Sequence, residues 1–237
     1  MRPGSIEALC FDVFGTVVDW RSGVARHAEA VLGPRGVSLD WPAFADAWRA
    51  RYQPAMEAVR SGRRGFVKLD VLHRENLEAV LAEHGLADLP EATVAELNLA
   101  WRQLDPWPDV VDGLTRLKRR HILAPVSNGN LRLMVDLARR GGLPWDAILG
   151  AEVARAYKPA PEAYLRSAAL LDLPPAACVM VAAHNDDLAA AREQGLQTAF
   201  VIRPREHGPG QTRDLEPEAD WDFVARDFGE LATRLGC

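Results

Sequence analysis

Residues 20–103 read as helix almost throughout, and they follow a single strand-like run, Ile6–Phe11. The segments VARHAEAVLG, WPAFADAWRARYQPAMEAVRSG, KLDVLHRENLEAVLAEHG and PEATVAELNLAWRQL repeat apolar residues at helical spacing, and no convincing strand interrupts them. A crossover between parallel strands is satisfied by one helix, so a block of this length is more than a connection. It is expected to be an inserted helical cap domain over 20–103, with the chain's return punctuated by Pro106 and Pro108 in LDPWPDVVDGL.

The remaining residues, 1–19 and 104–237, carry short apolar runs: Ile6–Phe11, Ile122–Val126, Ala147–Gly150, Cys178–Ala183 and Thr198–Ile202. Helical patterns at 131–140, 161–173 and 186–195 lie between the later ones. Strand and helix alternating in this way imply right-handed βαβ units, hence an α/β fold with a doubly wound, Rossmann-like parallel sheet. Pro125 sits awkwardly in the second run, because proline cannot donate to a sheet ladder.

Composition narrows the function classes. A net charge of -5 and a pI near 5.7 argue against nucleic acid or an anionic membrane as the main partner. No apolar run approaches the length of a membrane span, and no signal core follows MRPGS. Three widely spaced cysteines, Cys10, Cys178 and Cys237, fit structural thiols in a reducing cytoplasm rather than a disulfide framework or a zinc site.

In open α/β sheets, ligands bind beyond the carboxyl ends of the strands. Asp12, the Ser127–Asn128 pair, Lys158 and the stretch His184–Asp187 all fall there by this strand assignment. Each has a plain structural reading when taken singly. Asp12 can cap a turn, Ser127–Asn128 can cap a helix, Lys158 can be solvated, and Asp187 can favour a helix dipole. Their common location at one sheet edge points to chemistry instead.

These residues resemble a known family. FDVFGT at 11–16, VSNG at 126–129, YKPAPEAY at 157–164 and VAAHNDD at 181–187 look like the four ordered motifs of the haloacid dehalogenase superfamily. The resemblance covers nearly the whole chain and implies a Rossmann-like core with an inserted cap, with Asp12 as nucleophile.

Most of that superfamily are phosphatases, and this sequence departs from them twice. Phe14 stands where they carry a second, proton-transferring aspartate, and Ala182–Ala183 stand where a glycine and a metal-binding aspartate are typical. A phenyl ring moves no proton, and a methyl group offers no oxygen to Mg²⁺. The pattern is more similar to the branch that hydrolyses 2-haloacids without a cofactor through an aspartyl ester. Alternatives are a Mg²⁺-dependent phosphatase, with Asp186 or Asp187 rebuilding the metal site, and a non-catalytic binding protein that keeps the fold.

The resemblance also implies roles. Lys158 keeps Asp12 ionised, Asp187 activates the hydrolytic water, and Tyr164 orients the site. Thr16, Ser127 and Asn128 bind the substrate carboxylate, and Phe14 belongs to the substrate pocket. A cap arginine binds substrate and halide; AWRARYQ offers both Arg49 and Arg51 without an internal reason to choose, and the resemblance favours Arg49. The better-known dehalogenases carry Ser and Asn where this chain has Ala182 and His184, so His184 is either a proton carrier and water orienter or a packed histidine at a strand end. Asn185 either touches substrate or caps a helix. A homodimer is the family's implied assembly.

Overall fold

The computed structural model describes residues 6–237. Six parallel strands form one sheet in the order β3-β2-β1-β4-β5-β6. They are β1 Ala8–Phe11, β2 Ile122–Ser127, β3 Leu149–Gly150, β4 Cys178–Ala182, β5 Gln197–Val201 and β6 Phe223–Ala225. The order reverses at β1, which pairs with β2 on one side and β4 on the other. The loop after β1 therefore opens at the switch point of a Rossmann-like sheet.

The strand sequences show why both faces are covered. β1 reads ALCF and is buried at every position, as a parallel strand with helices on either side must be. Its side chains alternate between two cores. Leu9 and Phe11 join the larger one, where Phe11 stacks on Phe228 at 5.8 Å and meets Trp145 at 5.2 Å. Ala8 and Cys10 join the other, with Tyr164, Leu188 and Phe200.

Pro125 does lie inside β2, opposite Phe11 of β1. Ile122 N–H donates to Glu7 C=O on the β1 side, whereas Leu123 N–H donates to the Asp146 carboxylate on the other. Backbone groups alternate along a strand, so the nitrogen of Pro125 faces away from β1, where pairing with β3 begins only at Val126. No β1–β2 bond is lost, which is how proline is accommodated.

Five α-helices follow β1 before residue 99: α1 Trp20–Leu32, α2 Trp41–Ala50, α3 Tyr52–Arg60, α4 Leu69–Glu83 and α5 Glu91–Asn98. Asp19 and Asp40 cap α1 and α2, their carboxylates accepting from Ser22 and Ala43 N–H. The stretch 41–62, continuous in its periodicity, is broken at Arg51 into α2 and α3. An aromatic cluster fills the space between these helices and the β1 loop. Phe14 meets Trp101 edge-on at 5.7 Å, and Trp101 meets Trp48 at 5.6 Å and stacks on Trp20 at 6.1 Å.

The remaining helices are α6 Val110–Leu117, α7 Leu131–Gly141, α8 Ala151–Ala154, α9 Pro161–Leu170, α10 Asn185–Glu193 and α11 Phe228–Arg234. β6 and α11 lie beyond the strand and helix patterns read from the sequence. β6 is three residues long and only partly buried, too short for an alternation to register. Gly113 of α6 lets α11 approach closely, since a Cβ there would lie 2.4 Å from that of Phe228.

Candidate active site

Asp12 leaves β1 with its N–H still donating to Val181 C=O, so the strand ladder fixes its backbone. The chain then turns sharply through Gly15, at φ +89°. Thr16 Oγ1 donates to Asp12 Oδ2 at 2.8 Å and accepts from Ala183 N–H at 2.9 Å. Arg203 holds the same turn, its Nε donating to Thr16 C=O while its guanidinium pairs with Asp109.

Lys158 is buried, which excludes the solvated reading. Its Nζ lies 2.9 Å from Asp12 Oδ1 and 2.5 Å from Asp187 Oδ2. Its backbone N–H donates to Asn128 Oδ1, tying the loop after β3 to the end of β2. Tyr164, on α9, donates from its hydroxyl to Asp187 Oδ1 at 2.6 Å. Asp187 sits in the first turn of α10.

Burial alone raises a carboxyl pKa, but Lys158 and His184 outweigh it at Asp12 and hold that group far below the carboxylate range. Burial opposes the charge on Lys158 as well, yet Asp12 and Asp187 push its pKa above the ordinary lysine value. Asp187 moves upward, because its burial and the nearby Asp12 anion exceed the help from Lys158. Two carboxylates of opposite tendency thus share one ammonium.

His184 sits between two carboxylates. Its Nδ1 lies 3.2 Å from Asp12 Oδ2, and its Nε2 lies 2.9 Å from Glu206 Oε2. Burial disfavours the imidazolium, but Glu206 and Asp12 together raise its pKa well above the ordinary value.

These residues line a cavity of about 670 Å³ whose wall includes Asp12, Phe14, Arg49, Asn128, Lys158 and Tyr164. Arg49 reaches it from α2 with its guanidinium 4.0 Å above the Tyr52 ring and 5.3 Å from the Trp20 ring. Its Nη1 is buried without a hydrogen-bond partner among the described residues. Arg51 instead pairs with Glu83. Of the two arginines offered by the sequence, Arg49 lines the cavity and Arg51 does not.

Three expected substrate contacts are placed elsewhere. Ser127 is fully buried and its Oγ accepts from Gly129 N–H. Thr16 is fully buried and spends its hydroxyl on Asp12 and Ala183. Asn185 is turned away from the cavity and holds the following loop, donating to Asp214 and accepting from Glu218 N–H and Trp221 Nε1. Thr16 and Asn185 have their polar groups taken by protein partners, and burial shuts Ser127 off from the cavity.

Glu206 escaped the sequence reading, as did Trp20, Tyr52 and Arg60 on the cavity side. Glu206 lies in the loop after β5, at the same carboxyl edge as the other groups, and that edge rule was the available signal. Trp20, Tyr52 and Arg60 belong to helices whose periodicity says nothing about which residues meet the sheet.

A family model described as haloacid dehalogenase-like hydrolase matches residues 6–195. The chain belongs to this family. Among curated haloacid dehalogenases, an (S)-2-haloacid dehalogenase from Pseudomonas sp. (strain YL) is 30% identical over 89% of this chain and 90% of its own length. A crystal structure of a defluorinating L-2-haloacid dehalogenase is 49% identical, covers 99% of this chain and 98% of its own, and superposes with a TM-score of 0.96. A second L-2-haloacid dehalogenase structure is 47% identical with a TM-score of 0.95, covering 98% and 99%. Among the described residues, no three His, Cys, Asp or Glu side chains converge to hold a metal ion; the gap between Asp12 and Asp187 is bridged by the Lys158 ammonium.

Proposed function

We propose that this protein hydrolyses short 2-haloalkanoic acids to 2-hydroxy acids through an ester on Asp12. The observation that carries the reading is the Asp12 carboxylate, held ionised by Lys158 on a cavity wall where Phe14 replaces a proton-transferring acid. A desolvated, oriented carboxylate is a competent nucleophile at carbon. Holding it in line with the C–X bond supplies part of the roughly 7–11 kcal/mol available from orientation.

In this reading Arg49, which lines the cavity with its guanidinium, stabilises the departing halide. Asn128 lines the cavity with Oδ1 taken by Lys158 N–H, which leaves its amide N–H groups for the substrate carboxylate. Asp187, its pKa raised, accepts a proton from the water that attacks Asp12 Cγ. The helices of residues 20–103 act as the cap that excludes bulk water from the reaction. Attack at carbon inverts a chiral centre, and the similarity to (S)- and L-specific enzymes supports that enantiomer as substrate. Fluoride belongs in the leaving-group panel, since the 49% identical relative is described as defluorinating. Free thiols support a cytoplasmic setting, and a homodimer follows from the family resemblance alone.

The test is halide release in EDTA from chloro-, bromo- and fluoroacetate and from both 2-chloropropionates, with p-nitrophenyl phosphate plus Mg²⁺ alongside. Halide released by the wild type and lost in Asp12→Asn supports the reading. Phosphate release that requires Mg²⁺, without halide, replaces it with the phosphatase.

A further inference from the structure

The buried carboxylate of Glu206 has no role in the reaction outlined so far. It is 1% exposed, accepts from Trp20 Nε1 at 2.9 Å and turns both oxygens to His184 Nε2, Oε1 at 3.1 Å and Oε2 at 2.9 Å. A carboxylate of this kind costs several kcal/mol to bury unless a charged partner offsets it. Glu206 is the far end of a line that runs through His184 to Asp12 Oδ2.

The two oxygens of Asp12 are unequal. Oδ2 has two neighbours able to donate, Thr16 Oγ1 at 2.8 Å and His184 Nδ1 at 3.2 Å. Oδ1 has one, Lys158 Nζ. A carboxylate oxygen has two lone pairs, so Oδ2, with Thr16 bonded and His184 in ion-pair range, is the more crowded oxygen, while Oδ1 keeps a lone pair free for attack.

We propose that Glu206 is a positioning residue that fixes His184 as an imidazolium donor to Asp12 Oδ2, making His184 and Thr16 the oxyanion site for hydrolysis of the ester. The proposal rests on the dehalogenase reading and adds a step to it. Oδ1 forms the bond to C2 while the C–X bond breaks and its electron pair leaves with the halide. Water then attacks Asp12 Cγ and passes one proton to Asp187, and the carbonyl electron pair moves onto Oδ2. His184 Nδ1–H and Thr16 Oγ1–H stabilise that charge where it develops. Collapse breaks the Cγ–Oδ1 bond, the departing alkoxide takes the proton held by Asp187, and the second water proton leaves Asp12 to solvent.

The charges around His184 favour this state. Asp12 faces it from the end of β1 and Glu206 from the loop after β5, with His207 beside Glu206 at 3.6 Å. Lys158 and Asp187 lie behind Asp12 and compensate each other, while Arg49 across the cavity is the opposing cation. Arg60, Arg213, Asp46, Asp186 and Asp214 complete the charged wall as two cations and three anions.

The experiment follows halide release and covalent ester together, by rapid quench and intact mass, from pH 5 to 10. Wild type, Glu206→Gln, Glu206→Asp and His184→Ala are compared, with folding checked by thermal melting. In His184→Ala, turnover is expected to fall about 10²–10³-fold while a stoichiometric halide burst survives and the ester accumulates. In Glu206→Gln the alkaline limb moves to lower pH, because the anion that sustains the imidazolium is gone, and turnover at pH 8 drops at least about tenfold. Glu206→Asp keeps the charge and restores the limb toward wild type. If His184→Ala shows wild-type turnover, or no ester builds up in it, the proposal is overturned even should Glu206→Gln fail to fold. Wild type that releases no halide at all overturns the dehalogenase reading instead.

Discussion

Gly15 makes room for Glu206. The Gly15 backbone turns at φ +89°, and a Cβ built on it would lie 2.1 Å from Glu206 Oε1. The turn that aims the nucleophile and the carboxylate that reaches it through His184 are therefore one packed unit, assembled from residues 191 positions apart (206 minus 15).

Gly15→Ala is accordingly expected to damage activity beyond its effect on folding. The left-handed backbone disfavours alanine by about 1–2 kcal/mol, and the clash displaces Glu206. Thermal melts should show a modest destabilisation, while halide release falls by at least about tenfold at temperatures where the variant is fully folded. A variant with reduced stability and undiminished turnover would show that Glu206 can move freely.

Lys158→Met removes the ammonium between two buried carboxylates. Breaking such a pair costs about 3–5 kcal/mol, and the remaining acids respond by sharing a proton, since two like charges this close do not both ionise. The shared proton falls mainly to Asp187, whose pKa is already raised, while His184 still helps to keep Asp12 ionised, so turnover is expected to drop at neutral pH and to recover only as pH rises. The pH–rate profile, shifted to the alkaline side against wild type, is the measurement.

Arg49→Ala and Arg51→Ala separate two neighbours in sequence. Arg49 lines the cavity with its guanidinium over the Tyr52 ring, whereas Arg51 is outside that lining and forms a half-exposed pair with Glu83. The first is expected to lower kcat by about 10²-fold or more, in line with losing a charged group that acts on the leaving atom. The second is expected to change stability by less than about 1 kcal/mol and leave halide release near wild type. Equal kinetics for both variants would remove Arg49 from the halide-binding role.

The Glu206–His184 pair also sets a pH window for stability. Despite burial, which raises it, the Glu206 pKa is lowered from 4.5 to about 2 by His184. A carboxyl depressed in the folded state stabilises above its unfolded value and loses that contribution as pH falls through the folded one. His184 is raised, so its contribution is complete below 6.5 and is lost as pH rises through its folded value. The pair is thus fully effective between about 4.5 and 6.5 and is worth on the order of 3 kcal/mol. Urea unfolding between pH 2 and 6 should show a smaller acid loss in Glu206→Gln than in wild type, with curves of equal slope marking the Glu206 contribution as negligible.

Much of the architecture is legible in the residues themselves because its causes are local. ALCF and CVMVA are unbroken apolar runs, which only a strand covered on both faces tolerates. Helical periodicity over 20–103, interrupted by no strand, is enough to expect an insertion. β6 and α11 stayed hidden for the opposite reason. They are short, and tertiary packing against β5 and α6 rather than local pattern makes them regular.

At the site, the edge rule brings Asp12, Asn128, Lys158, His184 and Asp187 to one end of the sheet from sequence order alone, since each follows a strand's carboxyl end. Which way a side chain turns there is a different matter. Ser127, Thr16 and Asn185 sit at the same edge and point inward to protein partners, a choice made by neighbours distant in the chain. Arg49 and Arg51 differ by two positions on a helix surface, and only the packing of α2 against Trp20 and Tyr52 separates them. Glu206 offered only its place after β5, because its burial depends on a glycine turn, a tryptophan and a histidine distant in the chain. Chemistry-bearing residues are placed by the order of strands, which the chain writes directly. Their ionisation and aim are set by long-range contacts, which exist only once the fold has closed.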